Sequence, residues 1–142
     1  MTSRLLITVA VLLMGLVQPA ASCVCVEMGD LPAIVRDSSA VFLGRVVAFR
    51  IVAKRVQGTL QEDTEVTFAV DRRWKGATRR SVKVRTCGTE RIVCTCGAHF
   101  ELGYSYVVFA SGNPLETTSC HPNEQFEGAE DLITRLDSLA VK

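Results

Sequence analysis

The 142-residue sequence contains only two histidines, His99 and His121, and neither lies in a recognisable catalytic signature. It also lacks a Cys-x2-Cys pair, a His-x3-His pattern and a glycine-rich phosphate loop. These patterns are typical of thiol redox enzymes, zinc hydrolases and nucleotide-binding proteins, respectively. The sequence therefore predicts a protein that is not an enzyme.

The carboxylates do not suggest acid-base catalysis either. Glu62 and Asp63 fall in a polar stretch and are interpreted as part of a solvated loop. Glu130 and Asp131 open a predicted helix, where negative charge interacts favourably with the helix dipole. A pair formed by His99 with a nearby cysteine is conceivable, but a thiol in a set of paired cysteines is expected to be oxidised and inert.

The chain has little net charge, with 16 basic and 15 acidic residues. All acidic residues, and every basic residue except Arg4, follow residue 22, so that part is close to neutral. Near neutrality gives no general attraction to nucleic acid or to an anionic membrane. One stretch, DRRWKGATRRSVKVR, is locally basic and is either a solvated strand edge or a contact for an acidic polysaccharide through Arg72, Arg73, Arg79 and Arg80.

Long apolar runs are absent except at the start of the chain. Residues 5–17 are almost wholly apolar, follow Arg4, and precede the small residues of PAAS that end at Ser22. This is the layout of a secretory signal, and the run is shorter than the roughly 20 residues of a membrane span. We predict a signal peptide over residues 1–22, and a secreted, extracellular, monomeric domain over residues 23–142 that is not associated with a membrane.

All six cysteines follow the predicted cleavage site. An even number of cysteines in a small exported domain favours three disulfides, but six cysteines allow 15 pairings and their spacing selects none. A zinc site is the alternative, although the usual ligand spacing is missing. The cysteines are Cys23, Cys25, Cys87, Cys94, Cys96 and Cys120, and the alternative zinc ligands are Cys94, Cys96, His99 and His121.

Hydrophobic alternation predicts a mainly β fold. Residues 41–52 are rich in β-branched and aromatic side chains and predict a long central strand, with a bulge or bend at Gly44. Residues 57–63 predict a polar connection. Alternating apolar residues then predict a hairpin of two strands around Gly76, followed by two short strands on either side of the turn at residues 111–114.

Helices are predicted at both ends of this sheet. Asp30 is a suitable N-cap for a short helix, because Pro32 is tolerated in a first turn. After Gly128, apolar residues recur at steps of three and four, which predicts an amphipathic C-terminal helix. Five strands and these two helices indicate a closed, five-stranded barrel of the oligonucleotide/oligosaccharide-binding (OB) type.

The predicted cleavage would make Cys23, in the sequence CVC, the first residue. Its α-amine and its own carbonyl oxygen could then bind one metal ion in a five-membered chelate ring. An α-amine has a pKa of about 7.7 to 8.0, so a useful fraction is neutral near physiological pH. A catalytic zinc usually has three protein ligands and a water, and a rigid chain end could replace that water.

These features resemble the inhibitory domain of the tissue inhibitors of metalloproteinases, within the netrin-like (NTR) module superfamily. The resemblance is carried by CVC, VFLGRVV, VTFAVDRRWKG, CGAHFELGYSYVVFA and TTSC. It implies an OB-type domain that inhibits zinc metalloproteinases, with no cofactor of its own and a zinc shared with the target. The implied contacts with zinc and protease are Cys23, Val24, Cys25, Val26, Glu27, Val93, Thr95 and Gly97.

The resemblance also implies the pairs Cys23–Cys96 and Cys25–Cys120, which leaves Cys87 with Cys94. The chain departs from the family in three respects: Val24 replaces the usual Thr or Ser, no proline follows Val26, and the third vertebrate bridge and second domain have no counterpart.

Two alternatives remain open for the CVC motif. In one, the chain is a non-inhibitory netrin-like module that binds an extracellular protein or acidic polysaccharide, and the motif only fastens the fold. In the other, Cys23 is acylated as in a lipoprotein, although Ala20 stands where such a signal prefers Leu. Acylation of the amine would abolish chelation.

Overall fold

A computed structural model describes residues 23–140 of the protein. The predicted signal peptide and its cleavage site at Ser22 lie outside the described residues, except for Cys23 itself. The strands are β1 (Ala40–Val56), β2 (Thr59–Lys75), β3 (Ser81–Cys87), β4 (Ser105–Ala110), β5 (Glu116–Thr117) and β6 (Glu124–Gln125); the helices are α1 (Leu31–Asp37), a 3-10 turn (Phe126–Gly128) and α2 (Glu130–Ala140).

The six strands form one sheet in the order β5-β3-β2-β1-β4-β6, with only β3 and β5 parallel. The mainly β class and the two helices are therefore confirmed. The sheet has six strands rather than five and is open, so the predicted closed barrel is not supported. The expected strand after residue 114 is confined to the two residues of β5. The Thr117 hydroxyl donates to the Phe109 carbonyl of β4, and the Thr118 hydroxyl accepts from the Cys120 N–H in the turn that follows. A single bridge between Ser111 and Glu116 joins β5 to the end of β4.

The predicted polar connection at residues 57–63 is mostly wrong. Only Gln57 and Gly58 form the turn, and both have positive φ (49° and 82°), as a two-residue type I′ hairpin requires. Residues 59–63 belong to β2 and pair with β1. Their polarity misled because four of these five strand residues keep contact with solvent, whereas Asp63 is buried.

The predicted irregularity at Gly44 is confirmed by a register shift between Leu43 and Gly44. A Cβ added at Gly44 would lie 3.1 Å from both the Phe42 ring and the Ala69 carbonyl oxygen. The two strands thus approach closely where the sheet bends. A further shift after Val46 separates the buried half of β1 from its exposed half.

Apolar residues are buried on both faces of the sheet. On one face, edge-to-face contacts link four aromatic rings at centroid distances of 5.1 to 5.5 Å: Phe42, Phe68, Phe100 and Tyr106. On the other face, Leu31 of α1 and Leu136 of α2 cover Val41, Val107 and Phe109. Asp30 caps α1, accepting a hydrogen bond from the backbone N–H of Ala33 at 3.0 Å, as expected for this residue type. No helix within residues 23–140 is long and apolar enough to cross a bilayer.

Candidate functional site

All six cysteines are joined in disulfides. The pairs are the three that the family resemblance implies, with Cα–Cα distances of 5.1, 5.4 and 5.7 Å, typical of such bridges. They are Cys23–Cys96, Cys25–Cys120 and Cys87–Cys94. The prediction of three disulfides is thereby confirmed.

The N-terminal ridge, residues 23–27, has no regular secondary structure and is held to the rest of the molecule through its two cysteines. Between and after them, Val24 and Val26 are 86% and 84% exposed. Glu27 is exposed as well. Large apolar side chains with this exposure contribute nothing to the core, so the ridge offers apolar groups to solvent or to a partner.

The disulfide loop, residues 88–96, lies beside the ridge because Cys96 bonds Cys23. Its compact form depends on Gly88, where φ is +88° and an added Cβ would lie 2.7 Å from the Ile92 carbonyl oxygen. Thr89 and Ile92 exchange backbone hydrogen bonds of 2.9 and 3.2 Å. Val93 is consequently presented outward, with 88% of its surface exposed.

Gly97, at the end of this loop, allows the loop to lie against β3. A Cβ at residue 97 would overlap the carbonyl oxygen of Cys87. Its N–H donates to the carbonyl of Cys94 at 3.1 Å, closing a turn around Thr95, which is exposed. Among the predicted contact residues, Gly97 thus permits the close approach of the loop to β3, whereas Val93 and Thr95 expose their side chains to solvent.

A third segment, the turn at residues 118–121, is linked to the ridge by a disulfide and to the disulfide loop by a hydrogen bond. Ser119 N–H donates to the Cys96 carbonyl at 3.0 Å, and Cys120 bonds Cys25. The Sγ atoms of Cys23 and Cys120 are 3.6 Å apart, so the two bridges pack against one another. The ridge is therefore fixed to two segments that are themselves hydrogen-bonded together.

His121 closes this turn. Its Nδ1 atom accepts a hydrogen bond from the backbone N–H of Thr118 at 3.2 Å. Burial lowers the pKa of His121 below its ordinary value, which favours the neutral ring that this contact needs.

The cysteine sulfurs do not form a zinc site, because all of them are bonded in disulfides. The sulfurs of Cys23, Cys25 and Cys120 lie within 4.8 Å of one another, but each belongs to a disulfide. Since metal binding needs a thiolate, these sulfurs are not ligands. Cys94 and Cys96 are bonded in the same way, and His99 is exposed beside Glu101, at 3.8 Å.

The four arginines of the basic stretch have different surroundings. Arg72 lies over the Trp74 ring, 5.3 Å from its centroid, and pairs with Asp137 of α2. Arg73 donates to the Thr78 carbonyl at 3.0 Å. Within residues 23–140, Arg79 and Arg80 are exposed and form no ion pair. Among these four arginines, as the structure describes them over residues 23–140, Arg72 alone is paired with a carboxylate.

The prediction of a solvated loop at Glu62 and Asp63 is wrong, because both residues belong to β2. Glu62 is half-buried, and Asp63 is buried and pairs with Lys54 at 2.8 Å. Hydrogen bonding to Asp63 raises the pKa of Lys54. Glu65, also buried, is 2.7 Å from Arg50.

Burial alone would raise the pKa of Glu65, but the hydrogen bond from Arg50 and the charges of Arg50 and Lys83 outweigh it, so the pKa is lowered. The ion pairs of Asp63 and Glu65 were missed from the sequence because the paired residues come from three strands: β1, β2 and β3. The available signal was the spacing of Asp63 and Glu65, which places both carboxylates on one face of β2.

Comparison with known proteins assigns no family to this chain. No protein-family model matches it, and no curated protein matches it either. The resemblance therefore remains a hypothesis that rests on the cysteine pattern and the strand segments.

Proposed function

We propose that the protein is a secreted inhibitor of zinc metalloproteinases. After removal of residues 1–22, the α-amine and carbonyl oxygen of Cys23 chelate the catalytic zinc of the target and displace its water. The zinc belongs to the protease, and the mode requires no catalytic residue and no cofactor of this chain.

The observation that carries this proposal is the double anchoring of the ridge. Cys23 and Cys25 are bonded to segments 73 and 95 residues away, on either side of one exposed residue, Val24. Ordering a loose chain costs roughly 1 to 2 kcal/mol per residue of backbone. Because the bridges order the ridge before binding, that cost does not reduce the affinity for the protease.

The exposed side chains around Cys23 supply the contact surface of the proposed complex. In the proposed complex, Val24 enters the main specificity pocket of the protease, while Val26 and Val93 contact its surface beside the zinc. Cys25 orients Val24, Glu27 places a charge at the end of the ridge, and Thr95 and Gly97 shape the neighbouring loop. A β-branched residue at position 24 favours a shallow apolar pocket.

The decisive experiment adds one alanine before Cys23 in the mature protein. The added residue moves the free amine away from the Cys23 carbonyl and destroys the five-membered chelate, while both bridges remain. We expect inhibition of a panel of zinc metalloproteinases to fall by orders of magnitude. The matched control carries one alanine after Lys142, and equal inhibition by both proteins would refute chelation.

A second candidate function is supported by the exposed arginines of the β2–β3 turn. If the chain is a non-inhibitory netrin-like module, Arg79 and Arg80 are suited to bind an acidic polysaccharide. Changing both to alanine should then weaken retention on a heparin-type column. The control, R45A/R135A, loses the same charge elsewhere, and equal weakening in both variants would indicate non-specific attraction only.

We also propose that the curved, open sheet is a variant of the OB-type fold, and that the domain is exported and not acylated. The apolar cluster around Phe42 and Phe68, with α2 on the opposite face, supports the first point. Three disulfides support export. The intact mass of the secreted protein would establish cleavage after Ser22, a free amine at Cys23 and the three bridges together.

A further inference from the structure

The distal half of β1, residues 47–56, forms an edge of the sheet, here called the free edge. β2 pairs with β1 as far as Val56, whereas β4 pairs with it only over residues 40–45. Val46 makes the last hydrogen bonds on that side, with Gly103 and Tyr104, both 2.9 Å. Within residues 23–140, no strand pairs with β1 on that side beyond this point. Alternate residues of the free edge therefore direct backbone N–H and C=O groups toward solvent.

The geometry of the turn at Gln57 and Gly58 identifies the residues of β1 whose backbone groups point to solvent. In a two-residue hairpin, the flanking residues, here Val56 and Thr59, exchange both backbone hydrogen bonds. The register from Ala48 to Val56 contains no shift, so bonding to β2 alternates along this segment. The residues that turn their backbone groups outward are Phe49, Ile51, Ala53 and Arg55.

The side chains of the free edge divide by face. Phe49 and Ile51 share one face and are 44% and 59% exposed. Arg50 and Lys54 share the other face, where they reach the buried carboxylates of β2. Apart from these cations, the free edge includes Arg55, and β1 contains no acidic residue. Around Arg50 the positive charge is in excess, because Arg50, Lys83 and Arg85 surround the single carboxylate of Glu65, whereas Lys54 is balanced by Asp63. An incoming strand would thus meet Phe49 and Ile51 on one face and the excess positive charge around Arg50 on the other.

We propose that the free edge binds an extended segment of another protein in which acidic and apolar side chains alternate. The segment adds a strand beside β1, with its backbone groups paired to the outward-facing residues. Its apolar side chains lie against Phe49 and Ile51, and a carboxylate lies near Arg50, where positive charge is in excess. This site is separate from Cys23 and does not depend on zinc chelation.

Charge selects this partner over a second copy of the chain. If two free edges paired antiparallel about Val52, Arg50 of one copy would lie opposite Lys54 of the other. Like charges directly opposite on neighbouring strands are destabilising, whereas opposite charges there are stabilising. The alternating acidic segment satisfies the same backbone groups without this repulsion.

The test uses the mature protein and a blocked ten-residue peptide of alternating Glu and Val. We expect binding at low salt, with slower amide hydrogen exchange at Ile51 and Ala53. Two control peptides should fail: one alternating Lys and Val, and one of Glu and Val that is N-methylated at every second residue. Binding of either control as tightly as the test peptide would overturn the proposal, and so would the absence of binding by the Glu-Val peptide.

A pair of variants locates the site. Ile51→Lys should weaken the Glu-Val peptide about fivefold, the upper range for one cross-strand pair. Ile92→Lys, the same substitution at an exposed residue of the disulfide loop, should have no effect. Equal weakening by both would overturn the assignment. A concentration-dependent dimer that Ile51→Lys abolishes would assign the free edge to a second copy instead, which also overturns it.

Discussion

Removing the Cys87–Cys94 bridge should destabilise the protein much less than removing Cys25–Cys120. In the chain-entropy description, a bridge stabilises by restricting the unfolded chain, and its effect grows with the logarithm of the closed loop. The sequence separations are 7 and 95 residues. The same relation gives about 2.4 kcal/mol for the short loop and about 4.7 kcal/mol for the long one.

The assay is urea unfolding of C87S/C94S and C25S/C120S, compared with the native protein. Since small domains are stable by only about 5 to 15 kcal/mol, the second variant should lose much of its stability, and the first should remain folded. The native fold of C87S/C94S can be checked by hydrogen exchange of the core strand β4. Equal losses, or a larger loss for C87S/C94S, would refute the reasoning from loop length. Under the proposed function, C87S/C94S should also inhibit more weakly, because Val93 is no longer held beside the ridge.

Three further predictions follow from single side chains. Val24→Thr should change the free energy of unfolding by less than about 0.5 kcal/mol, because the side chain of Val24 is exposed. The same change should alter which proteases are inhibited. A loss of stability above about 1 kcal/mol in thermal unfolding would contradict the exposure of the ridge. Glu65 has a lowered pKa, so its contribution to stability is present above its ordinary value of 4.5 and is lost as pH falls through the lowered folded value. Glu65→Gln should therefore flatten the acid limb of a stability profile measured by urea unfolding, and an unchanged acid limb would count against the ion-pair network. Leu136→Ala should cost about 2 to 5 kcal/mol, because the side chain is 1% exposed between α2 and the sheet. A loss near that of Leu102→Ala, at a leucine that is 61% exposed, would contradict this packing.

Local patterns predicted the elements whose residues carry a clear periodicity. The alternation around Val66 and Phe68 gave the central hairpin, and the spacing of Leu132 and Leu136 gave the terminal helix. Gly44 marked a real irregularity because two strands approach closely at that residue. These features depend on short stretches of sequence and, at Gly44, on one adjacent strand.

Features that depend on several segments were not predictable in the same way. The openness of the sheet depends on where β5 and β6 pair, and both have only two residues. The burial of Asp63 depends on Lys54, which comes from another strand. Likewise, the cysteine spacing allowed 15 pairings, and only the resemblance to a family selected three of them.

The order in which the cysteines emerge during synthesis has a consequence for folding. Cys23 and Cys25 appear first, but their partners follow 73 and 95 residues later, so the ridge cannot be completed before almost the whole domain is available. The short bridge can close much earlier, because only 7 residues separate Cys87 from Cys94. Contacts between such distant residues form slowly, and reshuffling of disulfides takes seconds to hours. The oxidised ridge should therefore be a late product of folding, and its yield should depend on the thiol-disulfide isomerases that the chain encounters.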